Sequence, residues 1–307
     1  MPVPRSRAKV ALADRHDPQG LAAFVMRYLE WLRAHNYADP TVESREVYLG
    51  YFVAWCTERG ITTPREVTKP ILERYQRSLY QWRKRDGTPL SFRGQHARLV
   101  PVRALFKWLT RQNHLLYNPA SELELPRLEH RLPKHVLTIS EVEQVMRTVD
   151  LTEPMGLRDR AILEVLYSIG IRRRELINLA LFDFDRERGT VMIRQGKGKK
   201  DRMIPVGDRA MGWVDRYQHQ VRPDLVVGRE IAHLATLFLT HTGEPFTPNR
   251  LTQLVRRYVQ AADLGKSGSC HLFRHTMATL MLENGADIRY IQAMLGHAEL
   301  STTQIYT

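Results

Sequence analysis

A proline-rich segment in the middle of the chain divides the sequence into two parts that need separate hydrophobic cores. The segment from Asn118 to Lys134 reads NPASELELPRLEHRLPK, with three prolines, mixed charges and no hydrophobic period. This composition is typical of a linker. The 307 residues, of which 43% are hydrophobic, suffice for two modest cores. We therefore predict an N-terminal domain over residues 1–125, a linker over 126–134 and a second domain over 135–307.

The first part has the pattern of four amphipathic helices. Apolar residues three and four positions apart, from Leu21 to Leu32, predict the first helix, with ordered structure from about residue 19. In the second helix, Asp39 is expected to cap the helix and Pro40 to take its first position. The third helix is predicted after Pro70, and the fourth is predicted to open near Ser91.

The hydrophobic period changes in the second part of the chain. A helix starts at Thr138 or Ser140, and a more apolar helix ends near Gly170. Residues 190–194 and 203–206 have the pattern of two short strands joined by a glycine-containing hairpin, and residues 237–240 are a candidate third strand. Short helices are predicted after Pro248, and one of them is expected to be capped by Asp287 and ended by Gly296. The predicted fold class is therefore mainly α with a small β-sheet.

The charge balance makes a polyanion the natural partner of this chain. There are 46 Lys and Arg against 33 Asp and Glu, which gives a net charge of +13 and a pI near 9.9. The first 133 residues carry 22 basic and 13 acidic side chains, and the remainder carries 24 and 20. On the fourth helix, Arg103, Lys107 and Arg111 recur every fourth residue, and Arg93 lies near its start. These residues form either a solvated face or a row of phosphate contacts.

Cysteine content and hydropathy indicate the cellular setting. Cys56 and Cys270 are the only cysteines, too few for a disulfide framework or a cysteine zinc site, which fits a reducing compartment. The basic N-terminus has no apolar run long enough for a signal peptide, and no later stretch approaches about 18 uninterrupted apolar residues. The sequence predicts a soluble, cytoplasmic protein with no membrane partner.

Residues with affinity for phosphate are concentrated in the second part of the chain. His271 and Arg274 are three positions apart, so on a helix they point the same way and can clamp one anion. Three consecutive arginines beginning at Arg172 open a helix, where backbone N–H groups favour a negative group, and Glu175 is the expected partner of one of them. A surface salt bridge is the plain alternative for these arginines.

Three further residues complete the set of candidates. Lys197 lies between glycines in the hairpin loop, His297 directly follows the helix-ending Gly296, and Tyr306 lies nine residues further on. A solvated turn, a helix cap and a frayed terminus are the respective plain alternatives. No single motif decides between these interpretations.

Five motifs taken together resemble the tyrosine recombinase or phage integrase family in their order and spacing. They are Gly170-Ile-Arg172-x-x-Glu175-Leu176, Gly196-Lys197-Gly198 with the residues up to Pro205, His271-x-x-Arg274-His275, Leu295-Gly296-His297 and Ser301-Thr-Thr-Gln-Ile-Tyr306. The greatest similarity is to Xer-type members and their mobile-element relatives. The resemblance covers essentially the whole chain, weakly in the helical first part and strongly from about Leu137.

The resemblance implies a helical core-binding, SAM-like domain followed by a mixed α/β catalytic domain. Carried onto the matching positions, it makes Tyr306 the nucleophile, Arg172 and Arg274 the paired arginines, Lys197 the hairpin lysine, and His271 and His297 the two active-site histidines. Arg172 is chosen over its neighbours because it follows Gly170 by two residues and precedes Glu175 by three. The implied reaction is metal-independent cleavage and rejoining of a DNA strand through a 3′-phosphotyrosyl intermediate, without a cofactor.

The resemblance also implies partners. These are a double-stranded DNA recombination site, further copies of the chain that assemble from monomers into a tetramer on two sites, and an accessory or partner recombinase, with a Holliday junction as intermediate. Relatives continue past the tyrosine with a helix that docks on a neighbouring subunit, so we expect the chain to be truncated just after Tyr306. Two alternatives stay open, namely a type IB topoisomerase-like DNA relaxing enzyme and a catalytically silent DNA-binding regulator.

Overall fold

The computed structural model describes residues 17–129, 135–194, 201–228 and 235–297. The chain divides into two compact units, Met1–His130 and Arg131–Thr307, and each has its own hydrophobic core. The domain bounds expected from the linker composition stay a prediction. Within the described ranges, no helix combines the length and the apolar composition needed to cross a lipid bilayer.

The described part of the first unit is built from helices. They are α1 (Leu21–Ala34), α2 (Asp39–Thr57), α3 (Lys69–Gln81) and α4 (Phe92–Arg111), with a 3₁₀ turn at Pro64–Glu66. Leu29, Leu49, Leu72 and Leu105, one from each α-helix, have no exposed surface, so the apolar stripes meet in one core. The four predicted helices are confirmed.

Helix starts in this unit agree only partly with the capping residues expected from the sequence. The Ser91 hydroxyl accepts a hydrogen bond from Gly94 N at 3.1 Å and so caps α4 as predicted. The expectation for α2 was wrong in detail, because Asp39 is the first helical residue and the preceding Ala38 makes no side-chain cap. Asp39 instead places a negative charge in the first turn, where the helix dipole favours it.

The described part of the second unit combines further helices with one small sheet. The helices are α5 (Ile139–Arg147), α6 (Pro154–Ile169), α7 (Arg173–Ile177), α8 (Asp208–Gln220), α9 (Arg222–Val226), α10 (Pro248–Ala261), α11 (Cys270–Glu283) and α12 (Ile288–Leu295). Of the two candidate starts for α5, Thr138 is the cap, and it forms a capping box with Glu141. Gly170 ends α6 at a φ of +55°, a left-handed conformation that glycine adopts without strain.

The sheet contains the predicted hairpin strands and one strand that the sequence did not indicate. β1 (Phe184–Asp185), β2 (Thr190–Ile193) and β3 (Arg202–Pro205) pair antiparallel in the order β1-β2-β3. Val191 lies opposite Ile204, and both are buried against the helices. Most of the hairpin loop, residues 195–200, lies outside the described residues.

The third strand predicted over residues 237–240 is wrong. This buried segment has only isolated bridges, between Leu239 and Pro245 and next to its start between Ala180 and Thr236. Its backbone hydrogen bonds are divided between scattered backbone groups, such as Leu179 O, which accepts from Leu237 N at 2.8 Å, and one side chain. Tyr217 Oη donates to Leu237 O and accepts from Leu239 N, both at 3.1 Å. A buried apolar run can therefore have the composition of a strand without belonging to a sheet.

The helices after Pro248 are longer than the short ones expected, because α10 and α11 contain 14 residues each. Both carry apolar residues at helical spacing, and Val255, Val259 and Phe273 are fully buried. The predicted class, mainly α with a small sheet, is confirmed.

Candidate active site

The C-terminal end of α12 presents three successive backbone carbonyl oxygens to three arginine side chains. The three pairs are Met294 O with Arg202 Nε at 3.0 Å, Leu295 O with Arg274 Nη2 at 2.8 Å, and Gly296 O with Arg172 Nη2 at 2.9 Å. The last carbonyl groups of a helix lack partners within the helix and carry partial negative charge, so they favour cations. One helix end thus gathers guanidinium groups from three elements, and we call Arg172, Arg202 and Arg274 the arginine cluster.

Local sequence determines where α12 begins and ends. Asp287 Oδ1 accepts a hydrogen bond from Arg289 N at 2.7 Å, which confirms the predicted cap. Gly296 ends the helix at a φ of +61°, also as predicted. A Cβ on Gly296 would lie 3.0 Å from Arg202 Cζ, so the absence of a side chain lets a guanidinium lie directly against the backbone.

Arg172 lies between α6 and α7 and is held by Glu175. Ile171, the residue before Arg172, is fully buried and anchors this segment in the core. Glu175 Oε2 accepts from Arg172 N at 3.0 Å, and Glu175 Oε1 accepts from Arg172 Nη1 at 2.8 Å. The expected pairing of one arginine with Glu175 is confirmed. The Arg172 side chain keeps 22% of its surface exposed, so its guanidinium is fixed in place and still reachable from solvent.

Arg274 lies in α11 and is almost fully buried, with 6% of its surface exposed. Its Nη1 donates to Gly170 O at 2.8 Å, next to the turn that carries Arg172. A Cβ on Gly170 would lie 2.4 Å from Met277 Cε, so α11 approaches this turn closely because residue 170 is glycine. This close approach brings Arg274 and Arg172 to the same helix end.

His297 directly follows the arginine-binding end of α12. Its backbone N–H donates to Gln292 O at 3.2 Å, and its carbonyl accepts from Gln292 Nε2 at 3.2 Å. Arg274 Nη2 donates to His297 Nε2 at 2.9 Å, and the ring nitrogen is the acceptor because a guanidinium only donates. The structure therefore brings together Arg172, Arg274 and His297, three of the six predicted site residues.

His271 lies in the first turn of α11, three residues before Arg274, and part of its surface is open to solvent. The pKa of its imidazole is lowered, first by desolvation and then by the positive charges of Arg274, Arg173 and Arg172. The pKa of His275 is lowered in the same way, by desolvation and then by His271 and Arg274. The charges of Arg172 and Arg274, two members of the arginine cluster, therefore act on His271.

The two arginines after Arg172 have different surroundings. Arg173 Nη1 donates to Thr252 Oγ1 of α10 at 2.6 Å, and the side chain of Arg174 is exposed. Among the hydrogen bonds between described residues, Arg172 is the one member of this triplet that donates to the end of α12. The choice of Arg172 by sequence register agrees with this geometry.

Arg202 is a member of the cluster that the motif pattern did not single out. It lies in β3 opposite Ile193, and its side chain is 14% exposed. Its Nη1 and Nη2 donate to Glu175 Oε1 and Oε2 at 3.1 and 2.7 Å. Arg202 belongs to the hairpin motif named above, but its partners lie 27 and 92 residues away, where hydrophobic periodicity carries no information.

Two predicted site residues, Lys197 and Tyr306, lie outside the described residues, and their positions relative to the cluster stay a prediction. In the part of the chain that the structure describes, no group of three His, Cys, Asp or Glu side chains is arranged to hold a metal ion.

The basic residues expected to contact DNA all lie on α4. Arg93, Lys107 and Arg111 are exposed, and Arg103 is half-buried. Arg103 and Lys107 line a shallow cavity of about 250 Å³ whose other wall includes residues between 118 and 125. Their contact with DNA stays a prediction.

Comparison with known proteins gives the class. Two relatives are both named as tyrosine recombinases. They are XerC 2 of Ralstonia nicotianae, 48% identical over 304 residues (99% of this chain and 85% of the relative), and XerD of Pseudomonas aeruginosa, 36% identical over 283 residues (92% and 91%). The class is therefore that of tyrosine-type site-specific recombinases. Residues 135–307, more than half of the sequence, match the phage integrase family, and the chain belongs to that family.

Solved structures show the same fold. The XerH site-specific recombinase bound to its difH substrate has a TM-score of 0.71 and 21% identity over 98% of this chain and 90% of that one. A lambda integrase tetramer bound to a Holliday junction has a TM-score of 0.68 and 16% identity over 94% of this chain and 77% of that one. These likenesses agree with the predicted fold class. Because both relatives are named recombinases, the topoisomerase and the silent regulator are not favoured.

Proposed function

We propose that this chain performs site-specific recombination by cutting one DNA strand with Tyr306, holding the broken end covalently and rejoining it to another strand. The observation that carries the proposal is the convergence of Arg172, Arg274 and His297 at one helix end. The two guanidinium groups would bind the non-bridging oxygens of the scissile phosphate, because attack on a phosphodiester builds negative charge there. Arginine suits this role because it stays charged and forks toward two oxygens.

The covalent step is an exchange of one phosphodiester bond for another. The Tyr306 oxygen attacks the phosphorus, a bond forms between them, and the bond to the departing 5′-oxygen breaks. Lys197 donates a proton to that oxygen, which an ammonium can do and a guanidinium cannot. The 3′-phosphotyrosyl link conserves the energy of the cleaved bond, so a free 5′-hydroxyl reseals the strand without ATP. The reaction as written needs no metal ion.

The two histidines have separate roles in this proposal. His297 would donate a hydrogen bond to the phosphate. In the structure its Nε2 accepts from Arg274 Nη2, so donation from Nε2 requires that the phosphate replaces His297 as the partner of Arg274 and that Nε2 then carries the proton. For His271 the sequence left two roles open, donor to the phosphate or acceptor of the tyrosine proton. Its lowered pKa favours the acceptor role, because only a neutral imidazole has a nitrogen free to take a proton.

The Tyr306→Phe variant tests the covalent step. The wild-type chain is incubated with fragmented genomic DNA of its host, and DNA that stays attached after denaturation is sequenced. A nicked duplex made from the recovered sequence then serves as the probe. We expect the variant to form no adduct, because it lacks the attacking oxygen, while its affinity for the same duplex stays within about threefold. Undiminished adduct formation by the variant would refute the assignment.

We propose a double-stranded DNA site and further copies of the chain as partners. The net charge of +13 and the basic side chains on α4 support binding to a polyanion. Oligomerisation is supported by the lambda integrase tetramer bound to a Holliday junction, which shares the fold. The tetramer on two sites, assembly from monomers and an accessory or partner recombinase are part of this proposal and follow from family membership.

A further inference from the structure

We propose that Arg202 is a positioning residue for phosphate recognition, because it holds Glu175 and the end of α12 so that Arg172 presents its charge to the scissile phosphate. This inference rests on the proposed function. Arg202 does not need to touch DNA for it, and its effect passes through Arg172.

Arg202 and Arg172 share the negative charge of Glu175. This carboxylate is buried, with 5% of its side chain exposed, and it accepts hydrogen bonds from both Arg172 and Arg202. Burial raises its pKa, but the hydrogen bonds and charge of Arg202, followed by those of Arg172, outweigh burial and lower the pKa overall. Glu175 is therefore a buried anion that must be neutralised.

The positive charge that Arg172 can present to DNA depends on whether Arg202 also pairs with Glu175. With Arg202 bound to both carboxylate oxygens, two guanidinium groups face one carboxylate, and one positive charge remains. Without Arg202, the charge of Arg172 would be balanced by that of Glu175, and the pair would be neutral. An arginine already engaged by a carboxylate is a weaker ligand for a phosphate, so Arg202 keeps Arg172 available.

Arg202 also fixes the groups that orient the Arg172 side chain. Arg202 Nε donates to Met294 O at 3.0 Å, and its guanidinium lies against Gly296, whose carbonyl accepts from Arg172 Nη2 at 2.9 Å. Arg202 thus contacts both acceptors that orient the Arg172 side chain, Glu175 and the end of α12. It also lies in β3, next to the hairpin segment that contains Lys197, so one side chain joins the sheet to the site.

The test compares two arginines that flank the same hairpin. Arg202→Met removes the hydrogen bonds of Arg202 to Glu175 and Met294, which we call the Arg202 clamp. Arg194→Met is the matched control, because Arg194 also binds a buried carboxylate, that of Asp183 at 2.8 Å, and this carboxylate is not one that orients the arginine cluster. The probe is the nicked duplex captured by the wild-type chain. For Arg202→Met we expect covalent capture to slow by roughly 10- to 100-fold, as is typical when a group that orients a ligand is removed. Capture is measured at saturating duplex, so that weaker binding does not itself slow it. The capture rate and the dissociation constant of the control should change by less than about threefold, and the dissociation constant of Arg202→Met should rise by no more than about tenfold, the loss expected at one phosphate contact.

A double-mutant cycle separates positioning from a general loss of stability. If Arg202 acts through Arg172, the penalty of Arg202→Met shrinks to less than about threefold when Arg172→Lys is already present. A structural role alone would leave the two penalties additive. Additive penalties, or capture at the wild-type rate by Arg202→Met, would overturn the inference. If Arg202→Met does not fold, Arg202→Lys, which keeps the charge without the two-point bond, enters the same cycle with the same expectation of non-additivity.

Binding of inorganic phosphate distinguishes failure of this inference from failure of the proposed function. It is measured with Tyr306→Phe chains through the Nε–H resonances of arginine, so it involves no covalent step. We expect Arg202→Met to weaken phosphate binding by roughly tenfold relative to Arg194→Met. If phosphate binding is weakened in this way but the wild type forms no adduct, the proposed chemistry is refuted and the role of the Arg202 clamp is supported. Equal phosphate binding by the two variants would refute the role of the Arg202 clamp, whether or not the wild type forms an adduct.

Discussion

Desolvation, and then the positive charges of Arg274, Arg173 and Arg172, oppose protonation of the His271 imidazole. Both effects lower its pKa below the usual value of about 6.5. The acceptor form of this ring is therefore retained to lower pH than in an unperturbed histidine. The folded chain also binds this proton less readily than the unfolded chain does. His271 and His275 consequently make the fold less stable as the pH falls below about 6.5.

Arg173 provides a test of this field at the level of one residue. Arg173→Met removes one of the charges that oppose protonation, so we expect the titration midpoint of His271 to rise toward its ordinary value. The measurement is an NMR titration of the ring Cε1 proton. Arg174→Met is the control, because Arg174 is exposed and does not contribute to the lowered pKa. Equal midpoints in Arg173→Met and the wild type would contradict this account.

At the level of elements, the end of α12 allows a sharp comparison between two glycines. Gly296 and Gly285 both have a positive φ, at +61° and +83°, but a Cβ would meet Arg202 at Gly296 and nothing within 4 Å at Gly285. Gly285→Ala should lower the free energy of unfolding by about 1–2 kcal/mol, because of backbone strain alone. Gly296→Ala should lower the urea concentration at the midpoint of unfolding by more than Gly285→Ala does. It should also slow covalent capture by about tenfold, because the new Cβ displaces the arginine cluster. Normal capture by Gly296→Ala at a reduced midpoint would disprove the link to the cluster.

The elements predicted correctly from the sequence are those whose ends depend on near neighbours. Ser91, Thr138 and Asp287 bind backbone N–H groups two or three residues away, so their helices begin where the local pattern indicates. The prediction of a strand at residues 237–240 was wrong because the hydrogen-bond partners of this segment are distant in sequence. Two hydrogen bonds of that backbone, at Leu237 O and Leu239 N, go to Tyr217 Oη on a helix about 20 residues earlier, which no local pattern reveals.

The same distinction applies to the candidate site. Spacing along α11 and the glycine that ends α12 identified His271, Arg274 and His297 as candidates, since these features are local. Arg202 was not identified, because its role depends on contacts with Glu175 and Met294 that exist only in the folded chain. The sequence predicted which residues carry charge but not how the charges are shared.

At the scale of the whole molecule, the excess of positive charge should determine how DNA affinity depends on salt. Removing one phosphate contact reduces the steepness of log K against log salt by about 0.9. We expect the double variant Lys107→Gln and Arg111→Gln to reduce this steepness by about 2 and to weaken binding similarly for all DNA sequences. Fluorescence anisotropy at several salt concentrations measures this.

The control for the salt experiment removes the same amount of charge elsewhere. Arg186→Gln and Arg188→Gln change two exposed arginines that already pair with Asp215 at 2.8 Å and Asp185 at 3.7 Å. These two substitutions should leave the slope nearly unchanged. An equal drop in slope for both double variants would show that α4 has no special part in DNA binding.

The anchored end of α12 also limits where the proposed nucleophile, Tyr306, can act. Tyr306 follows His297 by nine residues, and a fully extended chain advances at most about 3.3–3.6 Å per residue. Because three arginines fix residues 294–296 to three other elements, this length is measured from a stationary point. If Tyr306 is the nucleophile, as we propose, its Cα lies within about 30 Å of His297 whenever it attacks a phosphorus. This limit holds whether the phosphate is bound by the same subunit or by another copy.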